Sequence, residues 1–329
     1  MKNKNPKYNN LINKKYEYEL LENGFTDKDI AIGKKVLSSK RITMAGHTRD
    51  FEIDFAKKIG AKYALMVNSG SSANLLATFA AGNLLRKNSL KRGDEVLVPV
   101  LCWSTSIWPL VQFGLKPVFV DIDMDTLNIN LMDLKKKITK KTKAIMLINV
   151  LGISSNLFKI SNIAKNKNLI VIEDNCESLG SKLNNKYLGT FGDFASFSFY
   201  YSHQITSGEG GMITCHNKED YELLVALRSH GWSRSNNKNE YKKIAKKYPK
   251  LDPRYIFINQ GFNLRPTDVQ AAMGLNQFER LDKFINIRAD NRKKIIQSLK
   301  KDPRWKNQYR FIEIPKKEAL SWRLPTLPL

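Results

Sequence analysis

Residues 63–85 read Y-A-L-M-V-N-S-G-S-S-A-N-L-L-A-T-F-A-A-G-N-L-L. The first five, Tyr63–Val67, form a short apolar run with the composition of a buried strand, and an apolar helix is expected over residues 74–85. Between them lies a loop of small residues, Asn68-Ser69-Gly70-Ser71-Ser72-Ala73. A strand, a small polar loop and a helix N-terminus together make an anion site. The first amides of a helix lack internal acceptors, and the helix dipole favours negative charge there. The hydroxyls of Ser71 and Ser72 add donors. The same residues also describe a serine-capped helix without a ligand, and the stretch alone leaves both possibilities open.

The alternation continues outward. Strands are expected at residues 95–100, 116–121, 144–151 and 169–172, with helices running towards Phe113 and around residues 160–165. This spacing predicts an α/β fold with a mostly parallel sheet and helices on both faces. Upstream, Thr26 caps a helix reaching about Leu37. Phe51, Phe55 and Ile59 then recur at i, i+4 and i+8 in a core-facing helix that stops at Gly60. Downstream come a helix near residues 221–229, a polar, lysine-rich loop, and a long helix after Asp268.

Ligands of parallel sheets gather at the carboxyl ends of the strands. Ser69 to Ser72, Trp103, Gly152, Asp174 and His203 all fall just past expected strand ends. His203 belongs to F-S-F-Y-Y-S-H-Q-I-T-S-G-E-G-G-M (197–212), an aromatic strand-like run closing on a glycine-dense turn. Glycine lets backbone approach a ligand closely, and an imidazole beside it is either a base or an ordinary hydrogen-bonded residue. An anion cup, a flat aromatic, a carboxylate and an imidazole on one sheet edge suit an aromatic phosphorylated cofactor. Pyridoxal phosphate needs donors for phosphate, a side chain to stack its ring, and a carboxylate to keep its ring nitrogen protonated.

The 329 residues carry a formal net charge of +24, which first suggests nucleic acid. The lysines are scattered, however, in short groups flanking apolar segments, as on solvated faces, and no nucleic-acid-binding signature accompanies them. A phosphate-rich small substrate is the simpler use of the field. The three cysteines, Cys102, Cys176 and Cys215, have neither metal-ligand spacing nor the number for a disulfide framework, so reduced thiols and no metal are expected. Residues 1–18 lack the apolar core of a signal peptide, and the longest apolar run is too short to span a bilayer. A cytoplasmic protein without a membrane anchor is expected.

Four segments in order carry a resemblance: N-S-G-S-S-A-N (68–74), E-D-N-C-E (173–177), residues 197–212, and G-F-N-L-R-P-T-D-V-Q-A-A-M-G (261–274). From about residue 43 to 291 the chain resembles the DegT/DnrJ/EryC1/StrS sugar aminotransferase family, fold-type I enzymes dependent on pyridoxal phosphate. Residues 1–42 read as a polar leader with one short helix before Thr26, then the helix Thr26 caps; the resemblance implies a large cofactor-binding domain over 43–290 and, over 291–329, the start of a small C-terminal domain, cut short. It also implies that Gly70, Ser71 and Ser72 form the phosphate cup, joined by Ser198. Trp103 is implied as the ring-stacking aromatic, Asp174 as the partner of the ring nitrogen, and Glu177 as the residue near the ring hydroxyl, where many members have Gln. Asn263 is implied to reach the phosphate of a second subunit, making a homodimer with shared sites, and Arg265 to meet a substrate or amino-donor carboxylate.

One departure from the family is decisive. Its aminotransferases carry lysine in S-K-x-I-T-x-G-E-G-G, where this chain has His203. An imidazole cannot make lysine's covalent link to the cofactor, but it can move a proton. Histidine here is similar to the 3-dehydratase branch, which removes the C3 hydroxyl of 4-keto-6-deoxy nucleotide sugars. One such branch holds an iron–sulfur cluster on cysteines. The segment His230-Gly231-Trp232-Ser233-Arg234 has none and resembles instead the cluster-free branch that uses a GDP-linked sugar. The resemblance therefore implies pyridoxamine phosphate formed with glutamate, His203 as the base at the cofactor's C4′ carbon, and release of a 3-deoxy-4-keto sugar and ammonia. His47, His216 and His230 are read as structural. A 4-keto-sugar aminotransferase with an unusual base, and a non-catalytic scaffold, are the alternatives. An intact Asp174 argues against the scaffold.

Overall fold

A computed structural model describes residues 24–43, 45–233, 238–312, 318–319 and 326–328. The short helix expected in the leader before Thr26, and Arg234, lie outside the described residues. Two helices come first, α1 (Asp27–Ser38) and α2 (Gly46–Ile59), followed by β1 (Tyr63–Val67) and α3 (Gly70–Ala81). Then come β2 (Glu95–Pro99), α4 (Ser104–Phe113), β3 (Lys116–Val120), α5 (Leu131–Lys137), β4 (Thr142–Ile148), α6 (Leu157–Lys167) and β5 (Ile170–Asp174). A small hairpin, β6 (Lys182–Leu183) and β7 (Lys186–Tyr187), precedes β8 (Phe194–Ser198) and β9 (Gly211–Cys215). Four helices follow: α7 (Lys218–Arg228), α8 (Lys238–Lys247), α9 (Asp268–Phe278) and α10 (Leu281–Lys301).

The central sheet has seven strands in the order β1-β9-β8-β5-β4-β2-β3. Strands β3, β2, β4, β5 and β8 run parallel, and β9 pairs antiparallel with both β8 and β1. The expected mostly parallel α/β sheet is therefore present. Successive side chains of a strand point to opposite faces, so the interior strands can be apolar throughout. Leu65 and Val67 of β1 join the core under α3, while Ala64 and Met66 join the core under α2 and α9. A third cluster, with Leu147, Val171, Leu157 and Ile160, fills the space beneath α6.

Phenylalanines anchor the segment that carries His203. Phe51, Phe55, Phe197 and Phe199 are fully buried, and the Phe55 ring lies 5.0 Å from both Phe197 and Phe278. Such ring pairs add about 0.5–1.5 kcal/mol each beyond burial. Asp268, at the start of α9, is buried and accepts from the amides of Ala45, His47 and Thr48 and from the Thr48 hydroxyl. It thereby caps α2 from across the chain, while Thr267 and Gln270 cap α9 reciprocally.

The differences from expectation lie where local pattern is weakest. The helix after the anion loop begins at Gly70 rather than Asn74, because Ser69 caps it. The aromatic run stops being strand at Ser198, and residues 199–210 loop over to β9. The lysine-rich loop contains helix α8, and the long helix after Asp268 is two, broken at Glu279 and Arg280.

Phe55→Ala should destabilise the fold by about 3–5 kcal/mol, read as a lower urea midpoint with the slope unchanged.

Candidate active site

The carboxyl ends of β4, β5 and β8 and the N-termini of α3 and α4 surround a cavity of about 730 Å³. Its lining includes Gly70, Ser71, Trp103, Asp174, Glu177, Ser198 and His203, so seven of the expected site residues share one space. That volume lies within the range of small-molecule sites.

The anion end is built by close packing. Ser69 caps α3, accepting from the Ser72 amide at 3.1 Å, and its hydroxyl donates to that of Ser72 at 3.0 Å. Ser72 is thus turned back into the cap and is not part of the cavity wall, whereas Ser71 reaches the Thr105 hydroxyl at 3.0 Å across the opening. A Cβ at Gly70 would stand 2.5 Å from the Ser198 Cβ and 2.8 Å from the Cys176 sulfur. Only glycine lets the first turn of α3 come so near the end of β8.

Asp174 ends β5 almost fully buried. Its Oδ2 accepts from Asn74 Nδ2 and from the Ser106 hydroxyl, both at 2.7 Å, and its Oδ1 accepts from the Cys176 amide at 3.0 Å. The neighbouring Glu173 points to the other face and ties down the loop before β8 through the amides of Gly189, Phe191 and Gly192. Burial pushes its carboxyl up from the ordinary range, against the lowering effect of those amides. Glu177 accepts from the Leu151 amide at 2.8 Å. Leu151 and Leu127, both on the cavity wall, have left-handed backbones, with φ of 54° and 60°. Such residues cost about 1–2 kcal/mol each, and strain of this kind collects at functional sites.

Trp103 stands at the mouth, 72 % exposed. The His203 ring meets Tyr200 edge-on at 5.8 Å, and the His203 carbonyl accepts from Arg288 at 3.0 Å. Gln204 donates to the Glu177 carbonyl at 2.6 Å, and the Thr206 amide donates to Gln277, so the loop is held just after His203. Burial, with Asp174 nearby, pushes the thiols of Cys102 and Cys176 up, so neither is a ready nucleophile.

Asn263 and Arg265 are not in the cavity wall. They lie outside edge strand β1, where the Asn68 amide donates to the Leu264 carbonyl. Asn263 is exposed, and the Arg265 guanidinium lies 3.1 Å from the His230 ring. Three further residues, Asn74, Ser106 and Ser196, complete the surroundings of Asp174. The signal for Asn74 was present: an amide in the apolar run N-L-L-A-T-F-A-A, one turn after Gly70 and therefore on its face of the helix. Ser106 and Ser196 carry no such mark. Among the described residues no cluster of three or more His, Cys, Asp or Glu is placed to hold a metal ion, and no helix is long and apolar enough to cross a membrane.

A glycine-walled cup at a helix N-terminus, an aromatic at the mouth and a buried carboxylate opposite fit a flat, phosphorylated ring. Fold and site together define a cofactor-dependent enzyme with the aminotransferase fold. The chain belongs to the DegT/DnrJ/EryC1/StrS aminotransferase family, whose model matches residues 25–323. It is 41% identical over 286 residues to the GDP-4-keto-6-deoxy-D-mannose 3-dehydratase of Escherichia coli O55:H7, covering 87% of this chain and 74% of that one. A solved structure of GDP-4-keto-6-deoxymannose-3-dehydratase with bound GDP-perosamine superposes with a TM-score of 0.82 at 36% identity, over 93% of this chain and 78% of the other. The E. coli enzyme with bound hydrated PLP gives the same TM-score and identity, over 93% of this chain and 77% of that one.

Gly70→Ala should weaken binding of pyridoxal phosphate by about tenfold or more while leaving the fold intact, since the added methyl meets Ser198. Equilibrium titration of cofactor absorbance, beside a thermal melt, checks this.

Proposed function

We propose that this chain is a pyridoxal/pyridoxamine phosphate-dependent 3-dehydratase that removes the C3 hydroxyl of a 4-keto-6-deoxy nucleotide sugar, a step of deoxysugar and lipopolysaccharide biosynthesis. The observation that carries this is the composition of the cavity wall: it includes His203, and among the described residues lining it there is no lysine. Transamination through a covalent cofactor link needs a primary amine at the site, which an imidazole does not replace. Relatives named as 3-dehydratases of a GDP-linked sugar support the same reaction and substrate class.

When bound, the cofactor supplies the electron sink that makes loss of a hydroxyl next to a sugar ketone feasible. The chain's residues supply the rest. Gly70, Ser71 and Ser198 hold the phosphate, with Ser72 setting the cap that exposes the helix N-terminus. Trp103 covers a ring face, Asp174 holds the ring nitrogen protonated, and Glu177 lies by the ring hydroxyl. His203 takes the proton at the cofactor's C4′ carbon and returns it where the leaving hydroxyl needs one. Glutamate is the amino donor in this scheme, and ammonia leaves with the 3-deoxy-4-keto product.

The position of Asn263 supports a shared site. Exposed outside the edge strand, it suits the phosphate of a second copy, with Arg265 beside it for a carboxylate, and the exposed Trp103 at the mouth suits cover by that copy. A cytoplasmic homodimer acting on small molecules, without nucleic acid or membrane partners, follows from this scheme.

Two experiments test it. Borohydride treatment of the cofactor-loaded protein should leave no lysine adduct by peptide mass mapping; a trapped adduct contradicts the reading. His203→Asn should lower kcat by about 100-fold or more while cofactor affinity changes little. For the shared site, a mixture of His203→Ala and Asn263→Ala copies, each inactive alone, should recover about a quarter of normal activity, because half the mixed dimers' sites are intact. No recovery would show that each subunit serves itself.

A further inference from the structure

The grip on Asp174 is unusual in its direction. Two side-chain donors from two helices, Asn74 of α3 and Ser106 of α4, converge at 2.7 Å on the same oxygen, Oδ2. The amide of Asn74 faces Asp174 with its Nδ2, because a carboxylate only accepts, and its Oδ1 then accepts from the Ser196 hydroxyl at 2.6 Å. Asn74, Ser106 and Ser196 are each at most 1 % exposed. The general need of buried polar atoms for partners explains that each has one. It does not explain why both strong side-chain donors serve one oxygen, while Oδ1 receives the backbone amide of Cys176, whose thiol, a weak donor, lies beside the same carboxylate. An ionised carboxylate has about four acceptor positions, two on each oxygen. Oδ2 is filled and Oδ1 has one left, on a residue that lines the cavity.

We propose that Asn74 and Ser106 are positioning residues: by donating together to Asp174 Oδ2 they stabilise its negative charge and reserve Oδ1 for the ring nitrogen of the cofactor. This rests on the functional reading above and deepens it. A buried carboxylate keeps its charge only while donors replace the water it has lost. With either donor removed, the proton shared between ring nitrogen and Asp174 passes to the carboxylate. The N–H bond breaks, an O–H bond forms on Asp174, and the ring becomes a neutral pyridine and a poorer electron sink. The arrangement also couples the ends of the site. Asn74 lies one turn after Gly70 on α3, and the Ser106 amide donates to the carbonyl of Trp103, so the elements at phosphate and ring face also set the carboxylate.

The test places pyridoxal phosphate labelled with ¹⁵N in the ring on the full chain and reads the nitrogen by NMR at one pH. Wild type and Ser106→Thr, which keeps the hydroxyl, should give the pyridinium signal. Ser106→Ala and Asn74→Ala should move it towards neutral pyridine, with kcat lowered about tenfold and KM for the sugar unchanged, the cost of one charge-assisted hydrogen bond. If both variants bind the cofactor and keep the pyridinium signal, the two residues are structural and the proposal falls. If Asn74→Ala does not fold, Ser106→Ala, which removes a single oxygen, decides alone. A wild-type protein that binds no cofactor, or binds it as neutral pyridine, overturns the functional reading instead.

Discussion

A buried negative charge at the end of the central strand β5 is the constraint on which the site depends. Asp174 is 5 % exposed, and an unpaired carboxylate there would cost several kcal/mol. Its donors come from α3, from α4 and from the backbone at Cys176, so these elements must keep their places for the charge to be tolerated. Two of them open on the cavity with their N-termini, Gly70 at the anion end and Trp103 at the mouth. The sheet order places β8, with Ser198 and the His203 loop, beside β5. One electrostatic requirement thus gathers Gly70, Trp103, Ser198 and His203 around a single space.

The His203 loop is held by packing more than by its own sequence. Phe197 and Phe199 anchor its start in the aromatic cluster with Phe51, Phe55 and Phe278, while Arg288 and Gln277 grip the backbone at His203 and Thr206. Helices α9 and α10, distant in sequence, therefore aim the imidazole. A base must lie within hydrogen-bond reach of its proton, so backbone anchoring of this kind is part of the chemistry.

Much of this was legible in the residues. Alternating strand and helix patterns revealed the parallel sheet, and small residues after β1 marked the turn into the helix that opens on the cavity, because those signals are local. The residues that converge at strand ends could be named before their geometry was known. What stayed hidden depends on contacts across the chain. Nothing near Ser106 or Ser196 distinguishes them from other serines; only the fold brings them to Asp174 and Asn74. Ser72 looked equivalent to Ser71, but the cap at Ser69 turns one inward and leaves the other at the opening. The antiparallel strand β9 is not legible in the residues, because a glycine-dense turn reads as an end, not as a return. Asn263 and Arg265 carry the motif and yet sit outside this chain's cavity, a separation that a one-dimensional pattern does not express.

The central claim is that replacing the family's lysine with His203 turns a transamination site into a deoxygenation site. Mass spectrometry of the product tests it most directly, after incubating the protein with pyridoxal phosphate, glutamate and GDP-4-keto-6-deoxymannose. The account predicts a sugar nucleotide that has lost one oxygen and gained no nitrogen, with ammonia released. An amino sugar that keeps its C3 oxygen would contradict it.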